Sequence, residues 1–419
     1  MKFLYSRTLI LSCYLFLFSF FLIYLLIQKI RLGYDKESWQ ITEFLINYQG
    51  GFVRRGLLGE IILKLHSCCG LDPYNAIITL TLISFVLLIG FFVINLKRGG
   101  FTLFFLPFVF FLGGPIIHDF WVRKDILLVL IFILTIHLLT RRNRPNFILV
   151  NLSLISGILI HESIAFFSFP IMFLLLYSRK KSFWVPALFL LPSLLVFFLV
   201  VYFKGSLYIS QEIWNSWKAI SFPYESAEKS GIPAAVDGLS WTLKEGLLYS
   251  YHTLRNFNDG IYALIGWSII IILIYYVLTN TDKLNPKLFG YKVEKYFDKT
   301  IISNLLLLQF FSVIPLFILG WDYGRWIFFW TTSSFAVYLV VPQRQLNQLF
   351  PLIISDTSRK MNGSLTHLFK GTSVLLLCIL IGFPAHSWSL TGTVNSSSFI
   401  IVLRFISRVI ELLLAMLGM

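Results

Sequence analysis

Apolar residues run long in this chain and polar residues come in short islands. Continuous apolar stretches of roughly 15 to 22 residues recur throughout, and a helix needs about 20 residues to cross a hydrocarbon core. Period-two alternation is absent, so the runs predict helices rather than a barrel. Spans fall at roughly 8–28, 76–96, 101–117, 126–140, 147–160, 163–177, 183–203, 260–280, 301–319, 326–341, 371–388 and 398–418. That is about twelve, within a range of about 10 to 13, and it predicts an all-α, polytopic integral membrane helical bundle. The first run, from about Leu9 to Ile27, is too long for a signal-peptide core and has no small-residue cleavage site behind it, so it reads as a retained first helix. With no Pro-rich or Ser-rich linker and no repeat, residues 1–419 form a single integral domain.

The polar islands orient this bundle. "KR" (97–98), "RRNR" (141–144), "RKK" (179–181), the lysine-bearing segment 282–299 and "SRK" (358–360) share one side if every span crosses. By the positive-inside rule that side is cytoplasmic, as are both termini, and the protein is a multi-pass component of the plasma (inner) membrane. Most of the 20 Asp and Glu residues fall in the opposite, outer loops. Two outer segments, 29–75 and 204–259, are long enough to fold over the membrane surface. The second carries Trp214, Trp217, Trp241, Tyr208, Tyr224, Tyr249 and Tyr251, rings that suit either interfacial anchoring or stacking on sugars.

Composition excludes a soluble domain: 57% of the residues are hydrophobic, 13% are charged, 43 are Phe, and the mean hydropathy is +0.79. The net charge of +15 is largely this orientation signal. No basic, aromatic-interleaved soluble domain accompanies it, which argues against nucleic acid as a partner. Cys13, Cys68, Cys69 and Cys378 make no disulfide framework.

Four charged clusters land on the outer face. "GGFVRRGLLGE" brings Arg54 and Arg55, and "IIHDFWVRKD" brings His118, Asp119, Arg123, Lys124 and Asp125. "ILIHESIAFF" brings His161 and Glu162, and "GWDYGRWIFF" brings Asp322 and Arg325. A charge near an apolar span costs about 2.5–3.5 kcal/mol at the helix centre and less near the interface, so such residues pair or bind something. Each cluster has a plain alternative, whether headgroup binding, local ion pairing or helix capping. Their common side nevertheless points to one outward cavity. Arginine forks from separate elements suit a phosphate or diphosphate, with Lys124 beside them and His118, Asp119, Asp125 and Asp322 in support. His161 beside Glu162 is a candidate general base, either group taking the proton.

The stretch "WVRKDILLVLIFIL", then "TRRNRPNF", then "LISGILIHESIAFFSFPIMFLLL" resembles the EpsG-like and Wzy-type polysaccharide polymerases, over about residues 113–178. Those are multispanning glycosyltransferases that join oligosaccharide repeats carried on polyprenyl diphosphate, as in O-antigen or exopolysaccharide synthesis. The resemblance implies a role for Arg123 and His161 alone, and implies polyprenyl-diphosphate-linked oligosaccharide as substrate. Membrane lipids and a chain-length regulator are the other candidate partners. No cofactor and no metal are expected, since the positive charges would replace a metal in stabilising the leaving diphosphate.

Two rivals stand. A GT-C-type glycosyltransferase using a polyprenyl-monophosphate sugar typically carries a catalytic acid in its first outer loop, where "YDKESW" offers Asp35 and Glu37. A transporter or flippase of lipid-linked sugars expects its site near the midplane. A membrane acyltransferase with an outward His is a third option that leaves the arginines without a task.

Overall fold

The computed structural model describes residues 2–36, 38–98, 114–117, 120–141, 145–222, 231–257, 261–280, 298–320, 322–369, 371 and 398–416. Every regular element among them is helical. The expected span at 371–388 lies outside the described residues but for Gly371, and that at 101–117 lies outside but for its last four residues.

The remaining runs form helices. They are α1 (Lys2–Leu32), α4 (Pro73–Arg98), α5 (Asp125–Thr140), α6 (Phe147–Ile160), α7 (Ile164–Lys180), α8 (Trp184–Tyr202), α12 (Ile261–Asn280), α13 (Lys299–Leu319), α14 (Tyr323–Val340) and α17 (Ser398–Met416). Pro73–Asn95, Trp184–Tyr202 and Lys299–Leu319 are long and apolar enough to cross a membrane. Asp125–Thr140, Phe147–Ile160 and Leu264–Asn280 are apolar but shorter. At 1.5 Å per residue the 16 residues of α5 reach only about 24 Å, so the connections at its ends lie at bundle depth.

Local chemistry sets several helix starts. The Asn146 side chain accepts the Leu149 N–H ahead of α6, and Asp298 accepts the Thr300 and Ile301 N–H groups ahead of α13. The central helices are α5, α6, α7, α13 and α14. α13 and α14 form an antiparallel pair in which Trp330 Nε1 donates to the Leu306 carbonyl at 2.6 Å. Phe167 of α7 stacks on Phe329 of α14 at 4.8 Å. Polar side chains inside the bundle pair across helices: Thr135 with Ser153 (2.8 Å), Ser193 with Asn151 (2.6 Å), and Tyr275 with Ser303 (2.8 Å). Such bonds contribute about 0.6–2 kcal/mol each where no water competes.

The two long connecting segments are folded rather than looped. The first holds α2 (Trp39–Thr42), a 3-10 turn at Glu43–Leu45 and α3 (Gly56–Cys69). The second holds α9 (Leu207–Ala219), α10 (Ala234–Asp237) and α11 (Leu243–Phe257). α15 (Gln343–Leu346) and α16 (Leu352–Leu368) follow α14. The two segments clasp one another. Trp217 Nε1 donates to the Leu45 carbonyl at 2.9 Å, Asn47 Nδ2 to Ser216 Oγ at 3.0 Å, and the Arg54 N–H to the Phe203 carbonyl at 3.2 Å. Together they cap the end of the bundle where α5, α7 and α14 begin. At the other end Arg179 reaches the Thr140 carbonyl (3.5 Å) and Gln345 Oε1 (3.3 Å), tying three connections together.

Glycine decides the fit of α3 under this cap. A Cβ on Gly59 would collide with the backbone carbonyl of Ile46, whereas one on Gly246 in α11 meets nothing within 4 Å. Gly59→Ala therefore lowers stability by about 2–3 kcal/mol, the range of an overpacked core. Gly246→Ala raises it by about 0.5–1 kcal/mol through helix propensity. Thermal unfolding of the two purified variants reads the opposite signs.

Candidate functional site

Five separate stretches supply charge to the capped end. Glu43 opens the 3-10 turn, Arg54 and Arg55 precede α3, and Arg123 and Lys124 precede α5, which begins with Asp125. His161 and Glu162 lie between α6 and α7, and Asp322 precedes α14, in whose first turn Arg325 sits. Helix ends favour this placing. Asp125 and Asp322 sit at helix N-termini, where the dipole favours anions, and Lys124 reaches the C-terminal carbonyl of α6.

The strongest pair is buried. Arg325 donates from Nε (2.6 Å) and NH2 (2.8 Å) to the two oxygens of Asp125, and from NH1 to Asp322 Oδ2 at 2.6 Å. Arg55 grips Glu162 in the same way, Nε at 3.0 and 3.1 Å and NH2 at 2.5 Å, while its NH1 lies 3.5 Å from Glu43 Oε1. Arg55 does this from a left-handed backbone (φ 67°), a conformation that strains any side chain bearing a Cβ. Lys124, fully buried, donates to the carbonyls of Arg55 (3.1 Å) and Ile160 (3.4 Å).

Two arginines are incompletely paired. Arg123 makes no hydrogen bond among the described residues, its NH1 lying 3.7 Å from Asp322 Oδ2 and 3.9 Å from Glu43 Oε2. Arg54 donates from NH2 to the Gly238 carbonyl (2.9 Å) and lies 3.9 Å from Glu162, but its buried Nε has no partner. Glu43 mirrors them. Its Oε1 faces His161 Nε2 at 3.4 Å, and its buried Oε2 accepts no hydrogen bond.

His161 is engaged on both sides. Its Nδ1 accepts the Ser163 N–H at 3.2 Å, so in the neutral ring the proton sits on Nε2, toward Glu43. Burial, together with the Arg55 charge, lowers the His161 pKa below its ordinary value of 6.5 despite Glu162 and Glu43. Burial alone would raise Glu43, but the hydrogen bond and charge of His161 and the arginines hold it well below 4.5. Glu162 is likewise held low against burial, chiefly by Arg55. Burial brings Lys124 down to about 8, with Glu43 opposing. Burial and a neighbouring arginine lower both Arg54 and Arg123, the two with unfilled donors.

The structure thus brings together Arg54, Arg55, Arg123, Lys124, Asp125, His161, Glu162, Asp322 and Arg325. His118, Asp119 and Glu37 lie outside the described residues. Asp35 is exposed in the turn after α1 and is not one of the side chains that meet here. Glu43, nearly fully buried, is the member that sequence reasoning missed. Its signal was a lone carboxylate in the apolar stretch "ITEFLI", inside a segment read as an outer loop folded over the membrane surface. Among the described residues five cations (Arg54, Arg55, Arg123, Lys124, Arg325) and four carboxylates (Glu43, Asp125, Glu162, Asp322) meet here. Among the described residues no three His, Cys, Asp or Glu side chains are grouped to hold a metal ion.

No protein-family model, curated protein or solved structure matches this chain.

Breaking the buried fork by Asp125→Ala leaves Arg325 with Asp322 alone and its Nε and NH2 donors buried without a carboxylate, a loss of about 3 kcal/mol. The double variant Asp125→Leu/Arg325→Met recovers most of that loss, as thermal unfolding in detergent would show. Acid acts through the lowered pKa values. The neutral His161 ring stabilises the fold fully above pH 6.5 and less as pH falls below it, and the carboxylates follow below 4.5. A melting-temperature profile should decline on acidification from about pH 6.5, and His161→Gln should remove that first phase while keeping the second.

Proposed function

We propose that the protein is an integral membrane glycosyltransferase that joins polyprenyl-diphosphate-linked oligosaccharide repeats, with the charged cluster as its site at the outer face. One observation carries the reading: incompletely paired Arg54 and Arg123 share a buried site with a carboxylate, Glu43, that has one oxygen without a hydrogen-bond partner. Glycosyl transfer needs both kinds of group. Cations bind the donor phosphates and stabilise them as the anomeric C–O bond breaks, an electrostatic effect strengthened by exclusion of water. A base takes the proton of the acceptor hydroxyl as its oxygen attacks the anomeric carbon.

Glu43 is the base in this reading. It faces Arg123 with its unfilled oxygen while His161 holds the other, making His161 the group that orients Glu43. Glu162, clamped by Arg55, fixes the cap on the bundle. The basic connections at the opposite end support an outward-facing site, and a cluster at the bundle end fits a transferase better than alternating access around a midplane.

Glu43 also favours a second reading. It lies in the segment after the first helix, where a GT-C-type enzyme acting on a polyprenyl-monophosphate sugar would carry its acid. A divalent-cation requirement would select that version.

The test is the glycan profile of a gene-deletion strain complemented with wild type, Glu43→Gln, Arg123→Ala, His161→Ala or Asp35→Ala at equal membrane levels. Polymerisation predicts single capped repeats in the deletion strain. Glu43→Gln and Arg123→Ala should fail to restore long chains, with activity down by about 10²–10⁴-fold for loss of the base, and Asp35→Ala should restore them. Long chains lacking one sugar would instead indicate a monosaccharide transferase. A wild-type profile for Glu43→Gln would remove Glu43 as base.

A further inference from the structure

α8 is the least enclosed of the long apolar helices, with 22% of its span buried. Its outward residues recur at alternating steps of four and three: Trp184, Leu188, Leu191, Leu195, Phe198 and Tyr202 are all exposed. That spacing draws an apolar stripe along one face, about 27 Å long at 1.5 Å per residue, widened by the exposed Val185, Leu199 and Val201 beside it. A lipid-facing stripe is ordinary in a membrane helix, but here the apolar surface continues past the helix end and into the cap.

The Tyr202 and Phe203 rings meet edge-on at 5.1 Å, and Phe203 meets Phe52 at 5.7 Å. Phe52 then stacks on Tyr48 at 5.6 Å. Phe52 is still 40% exposed, so the ladder has an open side. It ends beside the incompletely paired cation. The Arg54 N–H is bonded to the Phe203 carbonyl, and the Arg54 side chain, a quarter exposed, keeps its Nε without a partner. An apolar lane of membrane length therefore leads to a guanidinium that is held at NH2 by the Gly238 carbonyl and keeps its inner Nε without a partner.

We propose that this lane seats one polyprenyl chain, its isoprenoid tail along the α8 stripe and across Phe203 and Phe52, its phosphate on Arg54. The inference rests on the glycosyltransferase reading and specifies where the lipid carrier of its donor or acceptor lies. The two halves of the lane match the two halves of such a molecule: apolar contact without hydrogen-bonding demand, then a fork suited to phosphate oxygens. A bilayer phospholipid or a neighbouring helix could cover the stripe, but neither explains an aromatic ladder that turns toward the charged cluster.

The experiment uses the full chain in phosphatidylcholine nanodiscs and a polyprenyl phosphate bearing a diazirine near its third isoprene unit, with crosslinks mapped by mass spectrometry. Saturable labelling is expected at residues 195–203 and Phe52, displaced by unlabelled polyprenyl phosphate but not by polyprenol of equal length or by phosphatidic acid. Phe52→Asp should reduce the saturable signal at least tenfold. Phe52→Trp, which keeps a ring and the fold, should stay within twofold, and Arg54→Ala should abolish the preference for the phosphate over the alcohol. Saturable labelling confined to another helix, for example around Ile148 and Leu152 on α6, overturns the lane while the glycosyltransferase reading stands. Equal displacement by phosphatidic acid assigns the stripe to bulk lipid and also overturns it. Absence of saturable labelling anywhere, with no glycan defect in the deletion strain, overturns both.

Discussion

Arg325 is a buried cation at the start of a helix, the end whose dipole favours negative charge, so it must be compensated closely or not be there. Asp125 and Asp322 supply that compensation with three short hydrogen bonds, and the rest of the capped end is arranged around them. Because Asp125 opens α5 and Asp322 precedes α14, the fork fixes two helix starts at one depth. Lys124 and Arg123 are thereby held beside it. Lys124 then anchors the Arg55 carbonyl, and Arg55 reaches across to Glu162 and Glu43. The contacts from Arg325 to Glu43 thus form one connected chain.

The bundle is built by burial, and the cap by burial and pairing together. Trp330, Phe132 and Phe167 fill the helical interior, where dispersion and exclusion from solvent suffice. The first connecting segment adds Ile41, Phe44, Leu45, Ile46 and Val53 to the buried core, and it is tied to the second by the Trp217–Leu45, Asn47–Ser216 and Arg54–Phe203 hydrogen bonds. Two segments far apart in sequence thus form one cap, which contributes Glu43, Arg54 and Arg55 to the charged cluster.

Much of this was legible in the sequence. The apolar runs over α5, α6, α8 and α13 gave the helices, because about twenty apolar residues have few other structural uses. The four charged motifs converge because charges flanking spans gather at span ends. The partners were not legible. Nothing in "RKD" says that Asp125 will take Arg325 rather than the adjacent Lys124, since that choice is made by helix packing. Glu43 stayed hidden for a related reason: its environment comes from the fold of the cap, and an acid in a presumed outer loop gives no hint that it will be enclosed. Helices α3, α9 and α11 were missed because their mixed composition lacks the long apolar run that identifies a span.

The Arg325–Asp125 pair also bears on how the protein is made, since its members are 200 residues apart in the chain. At about 5–20 residues per second, Asp125 leaves the ribosome some 10–40 s before Arg325 does. During that interval the head of α5 carries a carboxylate whose partner in the finished fold has not yet been made. The charged end of the bundle is therefore complete only once the chain has been made as far as α14, and a chain ending before Arg325 lacks the fork that joins α5 to α14.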